Sequence, residues 1–142
     1  MYKKAQISVD FMVAITIALI LFLIILKSAH SQKNEADHVI QNLDAKHIAE
    51  KIASGINDIY LSGNGAYRNM TLPKKLHGGK IYTLRVYPRS VLINYSSETG
   101  ENYHSHRILT RDIEGCENGL ELTPGKVLIA NSNGTIQLTA VP

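Results

Sequence analysis

The sequence predicts an α+β fold, in which one long N-terminal helix is followed by a small antiparallel β-domain. Between residues 6 and 60 no proline interrupts the chain, and apolar residues recur at helical spacing. From residue 66 onward, short runs of alternating apolar and polar residues are separated by turns that contain Gly, Pro and Asn. The remainder of the chain, about 80 residues, is long enough to form one hydrophobic core.

The helix begins with an apolar block, Phe11–Leu26, that contains no charged residue. As a helix the block spans about 24 Å at 1.5 Å per residue, so it needs the residues before it to cross a hydrocarbon core of about 30 Å. Lys27 follows the block with no small-residue cleavage site, which disfavours a removed secretory signal. An ordinary signal-anchor helix is the simplest alternative.

The residues in front of the block carry a more specific pattern. Lys3 and Lys4 precede the small residue Ala5, and Gln6 follows it. Asp10 directly precedes the apolar block. Cleavage between Ala5 and Gln6 would remove the basic leader and keep the apolar segment as the new N-terminus. A carboxylate within reach of lipid costs free energy, so Asp10 is expected to have a function and a partner.

This stretch, Lys3-Lys4-Ala5-Gln6-Ile7-Ser8-Val9-Asp10, resembles the archaeal class III signal peptide of type IV pilin-like proteins. That signal has a basic pair, a small residue and then Q-x-S-x-E before an apolar run. This chain has Asp10 where Glu is usual and Ala5 where Gly is common. The resemblance implies that a prepilin-type peptidase cuts before Gln6. It also implies that Asp10 pairs with the new amine of Gln6 on a neighbouring subunit.

Four segments are therefore expected: a cleavable basic leader (1–5), a hydrophobic transmembrane or filament-core helix (6–29), an amphipathic helix continuation (30–62) and an extracellular antiparallel β-domain (63–142). The continuation has an apolar stripe that should pack on the β-domain: Ala36, Val39, Ile40, Leu43, Ala45, Ile48, Ala49, Ile52, Ile56 and Ile59. The glycines after Ser62 predict the end of the helix. Together the segments predict the lollipop-like architecture of type IV pilins.

Alternation of apolar and polar residues predicts five to seven strands in the β-domain. The clearest are Tyr82–Val86, Ser90–Tyr95, Val127–Ala130 and Thr135–Val141, and the weaker candidates are Arg68–Leu72, Tyr103–Leu109 and Leu120–Leu122. A tight turn is expected at Pro88-Arg89. A second is expected at Asn133-Gly134, because Asn and Gly tolerate positive φ.

Few residues indicate a catalytic, metal-binding or ligand-binding site. The net charge is only +3 and no basic stripe with interleaved aromatics occurs, so no nucleic-acid partner is expected. A single cysteine excludes an intramolecular disulfide. The histidine and cysteine spacing matches no standard zinc pattern, so we expect no metal, no cofactor, no enzyme activity and exposed strand histidines. The residues weighed were His77, His104, His106 and Cys116, together with the acidic loop of Asp112, Glu114, Glu117 and Glu121, which favours solvation over calcium binding.

Three N-glycosylation sequons lie in the expected β-domain. They are Asn69-Met-Thr71, Asn94-Tyr-Ser96 and Asn133-Gly-Thr135. Such sites are modified in external domains, so Asn69, Asn94 and Asn133 are candidate acceptors.

The expected function is that of a structural type IV pilin-like subunit of an archaeal surface filament. Its expected partners are other pilin subunits in a homo-oligomeric filament, the prepilin peptidase, the membrane and a pilus assembly platform. It would cross the cell membrane once, with its C-terminal domain outside, before assembly. The alternatives are a monomeric membrane-anchored extracellular binding module and a minor or motor-associated pilin-like protein.

Overall fold

The computed structural model describes residues 2–97 and 100–141, with side chains described from Val9 onward. Over these residues the fold is α+β, as the sequence predicts: one long N-terminal helix is followed by antiparallel sheets. The chain divides into two compact units, Met1–Asp37 and His38–Pro142. All seven strands belong to the second unit.

The helix α1 runs from Tyr2 to Ser62, which confirms the predicted helix and extends it at both ends. It ends where the sequence predicts, because Gly63 adopts a φ of 85° that glycine reaches without a Cβ penalty. The Ser62 hydroxyl donates a hydrogen bond of 2.7 Å to the carbonyl of Asp58. The Gly63 N–H donates to the carbonyl of Tyr60 at 3.3 Å, which satisfies one of the free carbonyls of the last turn.

Seven strands and a short 3₁₀ turn at His77–Gly79 follow the helix in the described residues. The strands are β1 (Tyr67–Thr71), β2 (Tyr82–Tyr87), β3 (Ser90–Ser97), β4 (Gly100–Arg107), β5 (Leu120–Leu122), β6 (Lys126–Ser132) and β7 (Thr135–Val141). They form a three-stranded sheet of order β1-β6-β7 and a four-stranded sheet of order β4-β3-β2-β5. Every strand pairing within the sheets is antiparallel. All seven strand predictions are confirmed, although β4 starts before Tyr103 and ends before Leu109.

Two predicted turns close hairpins. Between β6 and β7, Asn133 and Gly134 have φ values of 54° and 89°, which is the type I′ pattern that suits the twist of paired strands. Between β2 and β3, Arg89 has a φ of 73°. A long side chain in this region costs about 1 kcal/mol or more, and the hairpin register on either side holds Arg89 there.

The core lies between the C-terminal part of α1 and the two sheets. One face of the helix is buried over its whole length from Ala45 to Ile59, and alternate residues of β2, β3 and β6 meet it. The fully buried side chains include Ile52, Ile56, Leu84, Val86, Val91, Ile93, Val127, Ile129 and Ile136. Each such side chain contributes about 1.5–3 kcal/mol relative to an exposed one, so this contact holds the β-domain on the helix.

Gly55 of α1 packs tightly against the three-stranded sheet. A Cβ at this position would overlap Met70 Sδ and lie 3.1 Å from Ile129 Cδ1. Two polar interactions lie near the two ends of the buried face of α1. The Asp44 carboxylate accepts the His77 backbone N–H at 3.0 Å, and Asp58 forms an ion pair of 2.8 Å with Arg68.

The predicted apolar stripe is wrong at its N-terminal end. Val39, Ile40 and Leu43 are 54%, 39% and 59% exposed and Ala36 is also exposed, whereas the expectation placed all four against the β-domain. At 3.6 residues per turn Val39, Ile40 and Leu43 lie on the opposite side of the helix from the buried face. Gln41 lies on the buried face of the helix instead.

Replacement of Gly55 by leucine should therefore destabilise the β-domain. Because the site has no room for a side chain, overpacking should lower the free energy of unfolding by about 3 kcal/mol. Urea unfolding of the full chain in detergent, followed by the near-UV circular dichroism of its tyrosines, measures this change. The neighbouring Ser54 is exposed, so Ser54→Leu is the matched control and should change stability by less than about 0.5 kcal/mol. Equal effects of the two variants would contradict the close packing.

Candidate membrane and assembly segment

The segment from Val9 to Leu26 is apolar on every side of the helix and exposed throughout. Its large apolar side chains are 41–65% exposed. A window of this helix has a mean hydropathy of 2.9, and the helix is long and apolar enough to cross a membrane by length and composition. A single-pass membrane anchor is compatible with this segment. A helix that is apolar all round needs an apolar environment on all sides.

Two polar side chains interrupt the segment, and they differ in how they are satisfied. The Thr16 hydroxyl donates a hydrogen bond of 2.9 Å to the carbonyl of Met12. Thr16 is therefore suited to an apolar environment, because its donor is satisfied within the helix. Asp10 is exposed, and no described residue forms a hydrogen bond or an ion pair with its carboxylate.

The predicted processing site lies near the N-terminus of α1. The side chains of Lys3, Lys4, Ala5 and Gln6 lie outside those that the structure describes, although their backbone belongs to α1. Cleavage between Ala5 and Gln6, and the pairing of Asp10 with the amine of Gln6, therefore stay predictions.

The three sequons all present exposed asparagines. Asn69 lies on β1, Asn94 on β3 and Asn133 in the turn between β6 and β7. The backbone N–H of Asn133 donates to Asn64 Oδ1 at 2.7 Å, so the turn is tied to the loop after α1. All three side-chain amides are thus accessible to modification in the folded domain.

The histidines weighed as metal ligands do not converge. His77 lies in the 3₁₀ turn, whereas His104 and His106 lie on β4. Over the described ranges, 2–97 and 100–141, no three His, Cys, Asp or Glu side chains come together as a metal site would require. The acidic residues Asp112, Glu114, Glu117 and Glu121 are exposed, as the sequence predicts, although Glu121 lies on β5 and forms an ion pair of 3.4 Å with Arg85.

The expectation that the strand histidines are exposed is wrong. The register of β3 and β4 places His104 across from Ile93 and His106 across from Val91, both of which are fully buried. The two histidines are consequently half-buried on the inner face of the sheet. The ring of His104 stacks on Tyr95 with centroids 6.4 Å apart. Alternation along β4 could have indicated their shared face, but only the pairing with β3 shows that this face is the inner one.

Burial raises the pKa of three of the described side chains in the second unit, among them Tyr95. Burial raises the pKa of Tyr82 to about 12, and the phenol donates a hydrogen bond to the carbonyl of Pro73. Burial also raises the pKa of the Cys116 thiol, which is 2% exposed. A raised pKa disfavours the thiolate, which is the nucleophilic form of cysteine.

Comparison of the chain with protein-family models, with curated proteins and with solved structures finds no match. The residues and their geometry therefore carry the functional argument.

Cys116 should react slowly with thiol reagents in the folded protein. Since the thiol is buried and its pKa is raised, reaction with a disulfide reagent at pH 8 should be about a hundredfold slower than after unfolding in guanidinium. A Ser54→Cys, Cys116→Ala variant supplies the rate of an exposed thiol, on α1 of the same folded unit. Native Cys116 that reacts as fast as the introduced thiol would show that the site is open.

Proposed function

We propose that this protein is a structural subunit of an archaeal surface filament of the type IV pilin-like kind. It is anchored in the membrane by the first part of α1 and then assembled through that segment. The observation that carries the proposal is an exposed apolar helix segment that contains a carboxylate without a partner in the described residues. The order of residues around the proposed cut, Lys3-Lys4-Ala5-Gln6, supports it further.

A simple membrane anchor accounts for only part of this segment. Lipid covers the apolar side chains. The charge of Asp10, however, costs free energy near lipid and has no function in a helix that only anchors the protein in the membrane. In a filament, neighbouring helices replace the lipid, and the Asp10 carboxylate meets the amine that cleavage creates at Gln6. An unpaired carboxylate in such a core costs several kcal/mol, so this ion pair selects one axial offset between subunits.

The proposed orientation places the β-domain outside the cell. Lys3 and Lys4 hold the leader in the cytoplasm by the positive-inside bias, which leaves the residues after Lys27 on the other side. The exposed asparagines of the three sequons support this side, because external domains are the ones that receive N-linked glycans. The rival function is a monomeric membrane-anchored module whose β-domain binds an envelope partner. A minor or motor-associated subunit lies between the two.

The proposed cleavage predicts a defined mature N-terminus. The intact mass of the protein extracted from archaeal membranes should be that of a chain without Met1 to Ala5, because the peptidase cuts on the cytoplasmic side before Gln6. Ala5→Phe should retain the leader, since a bulky residue does not fit where a small one is required. A protein that begins at Met1 would contradict processing, and one that begins beyond Leu26 would identify a removed secretory signal.

Filament formation should depend on the charge of Asp10. Asp10→Ala should leave cleavage and membrane insertion intact but abolish sheared filaments, because the amine of Gln6 loses its partner. Asp10→Glu keeps the charge and should assemble normally, while the near-isosteric Asp10→Asn should fail like Asp10→Ala.

Electron microscopy and immunoblotting of sheared fractions measure assembly, and the membrane fraction of the same cells controls for insertion. Normal filaments from Asp10→Ala would show that the Asp10 carboxylate is not needed for assembly. If the unmodified chain enters no filament in its native host, the monomeric anchored module is the better function.

A further inference from the structure

The four-stranded sheet ends in an open edge at β4. This strand, Gly100–Arg107, pairs with β3 on one side and has no strand on the other within the described residues. It is the longest of the four edge strands, with eight residues. The edge of β7 is partly covered, because Ile113 forms a bridge with Ile136. The opposite edge of the four-stranded sheet, β5, has three residues.

The free backbone groups of β4 belong to its odd-numbered residues. The hairpin between β3 and β4 closes with the pair Ser97 and Gly100, which in a two-residue hairpin is a hydrogen-bonded pair. Hydrogen-bonded pairs then alternate, so the even-numbered residues of β4 bond to β3. The N–H and C=O groups of Glu101, Tyr103, Ser105 and Arg107 point away from the sheet, and all four residues are exposed.

We propose that β4 pairs antiparallel with β4 of a second copy of this chain, about a two-fold axis at His104. In this register the odd-numbered residues of one strand face the odd-numbered residues of the other, so the free groups on both edges bond to each other. Glu101 lies across from Arg107 of the second copy, and the same pair recurs on the other side of the axis. Tyr103, which is 73% exposed, lies across from Ser105 of the second copy.

Charge complementarity selects this partner and this register. Opposite charges directly across an antiparallel pair are favourable, and like charges are unfavourable. A slip of two residues places Glu101 across from Ser105 and loses both ion pairs. A slip of one residue presents the wrong backbone groups and reverses the faces of the strand.

The same two charges disfavour other partners. An unpaired edge normally attracts any exposed strand, and charged residues on the edge are a common protection against such pairing. Here Glu101 and Arg107 would lie unpaired against most other strands, whereas a second β4 supplies both complements. These charges thus protect the edge of β4 from pairing with other strands and make it specific for β4 of a second copy.

Pairing through β4 does not depend on the proposed filament. It uses the β-domain and not the segment that contains Asp10, so it would also join membrane-anchored copies that do not polymerise. Asp10→Ala copies should therefore retain the β4 contact even though they form no filaments. This difference separates a failure of the β4 contact from a failure of the proposed function.

Disulfide trapping tests the contact in the full chain. The two-fold axis makes residue 104 its own neighbour in a non-hydrogen-bonded pair, with Cα atoms about 4.5 Å apart, which a disulfide can bridge. In a Cys116→Ala background, His104→Cys should form covalent dimers when membranes are mildly oxidised. Gln137→Cys, at an exposed residue of β7 in the other sheet, is the matched control and should yield about tenfold fewer dimers, because β7 has no charged residue that would select pairing with itself.

Charge reversal then tests the register. Combined with His104→Cys, either Glu101→Arg or Arg107→Glu should lower the dimer yield about fivefold, since each creates two like-charge pairs. The double reversal restores opposite charges at both positions and should recover the yield. Both residues are exposed, and near-UV circular dichroism of each variant verifies the fold. Dimer yields of His104→Cys no higher than those of Gln137→Cys, or a double reversal that stays as low as the single ones, would overturn the proposal.

Discussion

The rest of the structure depends on the contact between one face of α1 and the two sheets. The isoleucines at 48, 52, 56 and 59 recur every three or four residues and are all buried. The alternate residues of β2, β3 and β6 that meet them belong to both sheets. Without the helix, each sheet would expose one apolar face, and a domain of this size has no second core to replace it. The sheets therefore need the helix as much as the helix needs them, and Gly55 lets the backbone approach closely enough to make the contact.

The same helix has a second apolar surface with a different requirement. Between Val9 and Leu26 the apolar side chains point in every direction, so a single sheet could cover only part of them. A bilayer or a ring of neighbouring helices covers them all. Thr16 suits both environments, because its hydroxyl is bonded to Met12 within the helix. Within an apolar environment Asp10 needs a cation, and this requirement supports the proposed assembly.

The sequence predicts the elements of this fold well and their partners poorly. Helix limits and strand positions follow from local signals, such as the glycine after Ser62 and the Asn133-Gly134 turn. The order β4-β3-β2-β5 is set by contacts between residues far apart in the chain, which no local pattern records. For that reason the half-buried position of His104 and the open edge of β4 were not predicted. The exposed positions of Val39, Ile40 and Leu43 were not predicted. Apolar residues of two different helix faces follow one another in the sequence, and periodicity alone assigned them to one stripe. At the candidate site, the apolar segment and the isolated carboxylate could be predicted because their signal is compositional.

The two proposed contacts between copies differ in symmetry, and this difference limits what each can build. In the proposed filament, contacts through the first part of α1 are heterologous, because the carboxylate of one subunit would meet the amine of the next and the series would continue without closing. Pairing through β4 is isologous and uses up the edge of both copies, so it joins two chains and then stops. It cannot by itself extend a filament. It can join two anchored copies or subunits of adjacent filaments, and the exposed Glu101 and Arg107 then set the strength of that lateral contact. Because these charges lie at the surface, salt should weaken lateral association while leaving the apolar contacts of α1 largely unaffected.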